Sequence, residues 1–391
     1  MMKIYFKELL AQLKLNVRDY GMFIALAVIM FIFSQLSGGL FLSPRNISNL
    51  FNQTGYIAVL AVGMTLVIII RHIDLSVGFV AGFIGAVAAI LMVQHQVNVI
   101  LVILIVLGIG ALIGLWNGFL VAKMSLPAFV ATLAGMLIFR GALLQVTSAT
   151  GTIIISDRFF NLISNGFIPD IFEGRLHVLT LVIGFLGIVF YIVNEFKQRQ
   201  SKIKYGFDVV SMPLFISKIF FVGAMISWII WILANFNGLS YTVIIVAVVV
   251  MAYHILMNKT VLGRHIYAVG GNPEAAALSG ISVNKITLFV FSSMGFLAAL
   301  AGIMFASRLQ SATVTAGMLF ELDAIAAAFV GGVSAKGGVG RVTGSIIGAI
   351  VMASLSSGMN LIGIDISVQY IVRGMVLVIA VIFDVKTRNV K

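Results

Sequence analysis

Long apolar runs alternate with short polar segments along nearly the whole chain. Within the runs, polar and apolar residues do not alternate as they would in the strands of a membrane barrel. The run 322–335 has only 14 residues, fewer than the roughly 20 that a helix needs to cross a bilayer. The pattern therefore predicts an all-α polytopic membrane bundle of about twelve spans, with a broken or re-entrant segment where a run is short. The twelve runs are 21–38, 54–70, 76–93, 98–122, 127–148, 177–194, 215–234, 240–257, 285–306, 322–335, 341–360 and 367–383.

Composition narrows the class of protein further. Of the 391 residues, 61% are hydrophobic and 10% are charged, whereas about 25% of a soluble globular domain is charged. The 39 glycines suit helices that pack closely within a membrane. The chain has no cysteine, which excludes disulfides and thiolate chemistry. We expect one transmembrane domain over 1–391. No catalytic or metal site is expected, because no cluster of acids, histidines or serines is arranged for chemistry.

The net charge of +12 indicates membrane topology rather than nucleic-acid binding, because the basic residues are unevenly distributed. Twelve spans place both termini on one side, and 19 of the 25 Lys and Arg residues fall on that side. Basic residues are enriched on the cytoplasmic side of membrane proteins. The termini are therefore predicted to be cytoplasmic, and lipid headgroups are the expected contact of the basic loop. The predicted cytoplasmic segments include 1–20, the basic loop 195–218 and the loop 258–285.

The loop 258–285 is polar and contains the signals for a short helix of its own. Asn272 is a favoured N-cap, Pro273 suits the first helical position, and Gly280 can end the helix in a left-handed conformation. A helix over 273–279 is roughly 10 Å long, too short to cross a bilayer core of about 30 Å. Its alanines give a smooth surface that suits a groove on a partner protein, although any inner loop can carry a capped turn. The predicted docking set is Asn272, Pro273, Glu274, Ala275, Ala276, Ala277, Leu278, Ser279 and Gly280.

Three segments of the chain resemble one known family of transport proteins. Glu-Ala-Ala followed by Gly280 is similar to the cytoplasmic coupling motif of ATP-binding-cassette (ABC) importer permeases. The run GGNPEAAALSGI, the run IDLSVG at 73–78 and the glycine-rich segment 331–341 resemble the monosaccharide branch of that superfamily, the ribose, galactose, arabinose and xylose permeases. In the other main importer class the motif continues into an Ile-x-Leu-Pro tail, where this chain has Val-Phe-Ser-Ser at 290–293. The resemblance therefore favours the compact type II importer fold.

The resemblance implies a function and a set of partners. The chain would be the permease subunit of an importer in the plasma membrane, working as a homodimer with a cytoplasmic ABC ATPase and an external sugar-binding protein. ATP and Mg would be bound by the ATPase, because this chain has no GxxxxGK[ST] motif and Lys336 is followed by Gly337. Xylose is the expected sugar, since the xylose-type permeases share three spans over 177–257 where ribose-type permeases have one. Ribose, arabinose and galactose remain alternatives.

A gradient-driven carrier and a membrane enzyme are two alternatives to an ABC permease. A carrier driven by an ion gradient is expected to have an acid or histidine in the middle of a span, whereas here the acids fall at span ends or in loops. A membrane enzyme would need a cluster of reactive side chains. Both alternatives are therefore disfavoured.

Seven residues at membrane depth are candidates to line a passage for a hydroxylated solute, because polar side chains there need partners or water. Some have simpler explanations. Asn117 can bond a neighbouring helix, Arg140 can reach the interface, and Arg373 can pair with Asp365. The candidates are Trp116, Asn117, Arg140, Gln145, Asn360, Gln369 and Arg373.

Two connections carry local signals. Ser43-Pro44 predicts a capped turn and a short helix before the span that starts at residue 54. Asp74 is predicted either to cap the helix that follows it or to pair with Arg71.

Overall fold

The structure, a computed structural model, describes residues 17–148, 151–172 and 174–388. The predicted segment 1–20 lies mostly outside these residues. Within the described residues the chain forms fifteen α-helices, one short 3-10 helix at Leu40–Leu42 and two strands, β1 at Ile153–Ile154 and β2 at Ser311–Ala312. The helices are α1 Val17–Leu36, α2 Pro44–Ile69, α3 Val77–Val93, α4 Val99–Ala122, α5 Ala128–Thr147, α6 Arg158–Asn165, α7 Val178–Lys204, α8 Met212–Ala234, α9 Tyr241–Lys259, α10 Val261–Gly271, α11 Pro273–Leu278, α12 Val283–Leu309, α13 Phe320–Val330, α14 Val342–Leu361 and α15 Ile366–Arg388.

The predicted all-α membrane bundle is confirmed. Nine of the described helices are long and apolar enough to cross a membrane, and α1 and α3 contain shorter apolar stretches. One of the twelve predicted spans, 322–335, corresponds to α13, which has 11 residues and is only about 16 Å long. It is therefore too short to span alone, and the non-helical segment 313–319 that precedes it supplies the rest of the crossing.

The connections sort into two sets at opposite ends of the bundle. At one end, here called the β end, β1 pairs antiparallel with β2. At the other, here called the α11 end, Gly338 donates to the carbonyl of Ile69 at 2.9 Å, and Ser334 donates to Asp384 near the end of α15 at 3.1 Å. The sequence also predicts that the connections of each set lie on one side of the membrane. The basic loop 195–218 also belongs to the α11 end, where α7 ends and α8 begins.

Two helices begin in the middle of the bundle. Val77, the first residue of α3, lines a narrow cavity together with Gly295, which lies about halfway along α12. The ring of Phe320, the first residue of α13, packs against Tyr56 with ring centroids 4.8 Å apart, and Tyr56 lies halfway along α2. We refer to α3 and α13 as the half-helices. Each is preceded by a non-helical segment that enters the bundle, 70–76 from the α11 end and 313–319 from the β end.

The order of elements around the half-helices occurs twice, in opposite directions. A long buried helix, a non-helical segment, a half-helix and a further long helix follow one another as α2 to α4, and again as α12 to α14. The two N-termini meet, because a methyl group on Gly78 would collide with the carbonyl of Gly317 and the carboxylate of Glu321. Inverted repeats with discontinuous helices at the membrane midplane are a recurring architecture of transporters.

Glycine allows a very close contact between two helices of this core. α4 packs along α12, and a methyl group on Gly114 would collide with the carbonyl of Phe291 and lie 2.9 Å from the Cα of Gly295. The backbones of the two helices therefore touch, as small residues permit within membranes.

Candidate functional site

The short helix α11 has the local structure that the sequence predicts. The Oδ1 of Asn272 accepts the backbone N–H groups of Glu274 at 3.0 Å and Ala275 at 3.1 Å. Pro273 occupies the first turn, and Gly280 adopts a left-handed conformation with φ of 82°. The helix ends at Leu278, one residue earlier than expected, because Ser279 is its C-cap. Both ends are thus set by residues within a stretch of nine.

One face of α11 is open at the surface of the chain. Ala276 is buried against the protein, whereas Leu278 is 91% exposed, more than any other large apolar side chain in the described residues. Glu274, Ala275 and Ala277 are less buried than Ala276. A fully exposed leucine beside small side chains is a surface suited to contact with another protein.

The C-terminal end of α10, from which α11 continues, is bonded to the segment that leads to the first half-helix. The Nε of Arg71 donates to the carbonyl of Gly270 at 2.7 Å, and a second guanidinium nitrogen donates to the carbonyl of Gly271. Arg71 itself has a φ of 68°, a conformation that few non-glycine residues adopt. Movement of α10 and α11 would therefore act directly on segment 70–76.

The glycine-rich segment 331–341 joins the same assembly. The hydroxyl of Tyr267 on α10 donates to the carbonyl of Gly340 at 2.7 Å, and burial raises the pKa of Tyr267, which keeps this donor protonated. A methyl group on Gly338 would lie 2.8 Å from the Cα of Gly271. The loops before α3 and after α13 thus both rest on α10.

Asp74 has neither of the two predicted arrangements. Its Oδ1 accepts the N–H of Ser76 at 2.9 Å and the hydroxyl of Ser76 at 2.6 Å. Ser76, and not Asp74, is the N-cap residue of α3. Arg71 donates to carbonyls of α10 and not to Asp74. The Nδ2 of Asn117 donates to the Ser76 hydroxyl at 2.9 Å, as expected for an asparagine that bonds a neighbouring segment.

Two acids that the sequence places at span ends or in loops are buried deep in the bundle. Asp74 is 2% exposed and Glu321 is 5% exposed, and both lie where the half-helices begin. The Oε2 of Glu321 has no hydrogen-bond partner in the described part of the chain. The sequence offered a signal for this position, since Glu321 opens an apolar run too short to span.

Three of the seven candidate passage residues lie together near the β end. The Nε2 of Gln369 donates to the Oδ1 of Asn360 at 2.7 Å. Arg373 donates from Nε to the hydroxyl of Ser356 at 2.9 Å, and its NH1 lies 3.4 Å from the Oδ1 of Asp323 on α13. The guanidinium therefore joins α15 to two other helices.

The predicted alternative partner of Arg373 is occupied elsewhere. Asp365 accepts the hydroxyl of Ser367 at 2.5 Å and its N–H at 2.8 Å. These hydrogen bonds lower the pKa of Asp365. Asp365 thus orders the first turn of α15, and its predicted pairing with Arg373 is wrong.

Asn360 and Arg373 also line a polar cavity of about 200 Å³ between α2, α13, α14 and α15. The other candidates do not line it. Trp116 is 55% exposed on α4 and stacks on Phe119, Arg140 lies over the ring of Phe79, and Gln145 is exposed near the end of α5. The structure thus separates the candidates into one group around the cavity and several isolated positions.

Comparisons with known proteins identify the relatives of this arrangement. The family "branched-chain amino acid transport system / permease component" matches residues 46–381. The xylose transport system permease protein of Haemophilus influenzae is 38% identical over 374 residues, which cover 96% of this chain and 98% of the relative. Its Escherichia coli counterpart is 37% identical, covering 96% and 93%.

A ribose permease is similar to the same degree. The ribose import permease protein of Escherichia coli is 37% identical over 363 residues, covering 93% of this chain and 92% of the relative. No solved structure matches the chain. The family match, the curated relatives and the multi-pass helical fold agree, and the chain belongs to the branched-chain amino acid transport system / permease component family, in its branch of monosaccharide ABC permeases.

Proposed function

We propose that this chain is the membrane subunit of an importer that carries D-xylose into the cell, driven by ATP hydrolysis in a separate cytoplasmic subunit. The chain would work as a homodimer, an external sugar-binding protein would deliver the sugar at the β end, and the ATPase with its ATP and Mg would bind at the α11 end. Both termini would then be cytoplasmic. The excess of basic residues at the α11 end supports this orientation.

The observation that carries the proposal is the placement of α11. Its exposed residues are Leu278, Glu274 and small side chains, and the end of α10 is bonded to Arg71. A partner that pulls on α11 would therefore move segment 70–76 and the loop 331–341, and through them the half-helices at the middle of the membrane. Motion passed from α11 to the half-helices in this way is a rigid-body movement, and it requires no chemical reaction within the permease.

The choice of xylose rests on the peripheral helices. α7, α8 and α9 occupy the region 177–257. By resemblance, xylose-type permeases have three spans in this region and ribose-type permeases have one. The two xylose permeases match 96% of this chain, whereas the ribose permease of Escherichia coli matches 93%. Identity alone does not separate the sugars, because the xylose and ribose relatives are 37–38% identical to the chain. The external sugar-binding protein would supply much of the selectivity.

The docking role is tested by Leu278→Asp in the full chain, co-expressed with its ATPase subunit. A buried charge at the centre of an interface is costly, so the variant is expected to insert normally, to lose the ATPase on purification and to lose xylose uptake. The matched control is Leu40→Asp, at an apolar residue that is 62% exposed at the β end, which should retain the ATPase. Normal ATPase retention by Leu278→Asp would refute the docking role.

A second measurement addresses the class of transporter. Purified permease reconstituted without its ATPase should not accumulate xylose above the external concentration, even when a pH or sodium gradient is imposed. Accumulation without the ATPase would identify the chain as a gradient-driven carrier.

A further inference from the structure

The polar cavity near the β end is built by side chains from four helices. Gln53 and Tyr56 come from α2, Asp323 from α13, Ser356 and Asn360 from α14, and Arg373 from α15. Tyr56 lies at the middle of α2 and Asn360 near the end of α14, so the cavity extends from the middle of the bundle toward the β end. A solute that enters from that end would meet it before the half-helix junction.

The charges in the cavity balance. The carboxylate of Asp323 and the guanidinium of Arg373 are 3.4 Å apart, longer than the roughly 2.7–2.9 Å of a close charge-assisted hydrogen bond. Their side chains are 22% and 26% exposed, so both can be reached by a solute. A neutral pair with spare donors and acceptors suits an uncharged polyol, whose hydroxyls both donate and accept.

We propose that this cavity is a transient binding site for one monosaccharide molecule on its way through the membrane, with Asp323 and Arg373 binding neighbouring hydroxyls of the sugar. Asn360 and Ser356 add an amide and a hydroxyl from α14. The site rests on the proposed function, because it gives the imported sugar a defined stop within the permease. It is specified by the pairing of α13 with α15, which no single segment of sequence reveals.

Size and affinity agree with this assignment. A cavity of about 200 Å³ is many times the roughly 10–15 Å³ that one water needs. It therefore has room for a small solute such as a pentose, which has ten non-hydrogen atoms. Apolar side chains of Ile57, Met352 and two alanines complete the cavity wall beside the polar groups, as in small-molecule sites generally. A passage site must bind weakly enough to release its solute.

The first experiment uses the absence of cysteine in the natural chain. Ala353→Cys creates a single thiol on the cavity wall without removing a polar group of the site, and Ser367→Cys creates one on the exposed first turn of α15 as a matched control. Both variants are labelled in nanodiscs with a small thiol reagent while xylose is titrated. At about ten times the half-protecting concentration, about one site in eleven is free, so labelling of Ala353→Cys should slow about tenfold. The control should not change.

Leucine is titrated in parallel because the family description names amino acids. Protection by leucine and not by xylose, or no protection by any monosaccharide, would overturn the proposed site. Protection by both xylose and ribose would support it as a general monosaccharide site.

The second experiment measures uptake kinetics in the complete importer with its ATPase and sugar-binding protein. Asp323→Asn should reduce xylose uptake at low sugar about tenfold, the effect of one lost hydrogen bond to a charged group, while ATPase retention stays normal. If the unaltered importer moves no monosaccharide, the proposed function fails. If it imports xylose and both Asp323→Asn and the labelling are unaffected, only the cavity assignment fails.

Discussion

The contact between α4 and α12 gives a prediction whose size can be worked from the structure. Gly114→Ala adds a methyl group that collides with the carbonyl of Phe291 and the backbone of Gly295. Gly108→Ala, in the same helix, adds the same group where nothing lies within 4 Å. Both substitutions gain up to about 1 kcal/mol of helix propensity. This gain cancels when the two variants are compared.

The remaining difference is the cost of the collision. Overpacking typically costs about 1–3 kcal/mol. The obstacle to Gly114→Ala is the backbone of α12, which cannot rotate away as a flexible side chain can, so we expect about 2–3 kcal/mol. An unfolding entropy of about 2.1 cal/mol/K per residue over 391 residues converts each kcal/mol into about 1.2 °C. Gly114→Ala should therefore melt at least about 2–4 °C below Gly108→Ala.

The assay is thermal unfolding of both purified variants in one detergent, at one protein concentration and one scan rate, since membrane proteins commonly unfold irreversibly. Gly108→Ala should melt at or slightly above the unaltered protein. Equal melting temperatures for the two variants would refute the direct backbone contact between α4 and α12. A lower value for Gly108→Ala would contradict the assignment of an open helix face at that position.

Three further predictions concern function. Arg71→Ala removes two hydrogen bonds worth about 1.5–3 kcal/mol each. The importer should keep its ATPase and hydrolyse ATP, while xylose uptake falls. Uptake that still matches ATP hydrolysis would contradict a role of Arg71 in connecting α10 to segment 70–76. Gly78→Val should abolish uptake without loss of inserted protein, because its side chain would meet the carbonyl of Gly317, and retained uptake would mean that the half-helices need not meet. Replacing the exposed Lys202 and Lys204 with Glu should weaken binding to anionic lipid, at about 1 kcal/mol per removed charge, as measured by lipid retention at low and high salt; unchanged retention would exclude a headgroup contact.

The capped helix α11 was predictable from the sequence because its determinants are local. Asn272, Pro273 and Gly280 lie within nine residues and act on the backbone next to them. The grouping of the loops at two ends was also predictable, since the distribution of Lys and Arg follows topology. Neither inference requires knowledge of which helices touch.

Contacts between distant segments were not predictable in the same way. Arg373 pairs with Asp323 on α13, although Asp365 is nearer in sequence, because the fold brings α13 beside α15. Arg71 bonds the carbonyls at the end of α10 instead of the nearby Asp74. Charge type suggests candidate partners, but only the packing of helices selects among them.

The apolar runs also misplaced the beginnings of helices. α2 starts at Pro44 and runs unbroken to Ile69, whereas the apolar run begins at residue 54 and predicted a separate short helix before it. Most of α2 is buried inside the protein, where polar side chains can find partners: the hydroxyl of Ser240 donates to Asn52 at 2.5 Å. A helix surrounded by protein need not be apolar along its whole length.

The half-helices connect the buried acids to the work of transport. The N-terminal end of a helix carries a partial positive charge, which stabilises a nearby carboxylate by about 0.3–1 kcal/mol and up to about 2 in buried sites. Asp74 precedes α3, and Glu321 lies in the first turn of α13 against Gly78, so each carboxylate lies at the N-terminal end of a half-helix. In the proposed importer, movement delivered by the ATPase through α11 and α10 would reach segment 70–76 through Arg71, and would therefore shift one of these two ends relative to the other.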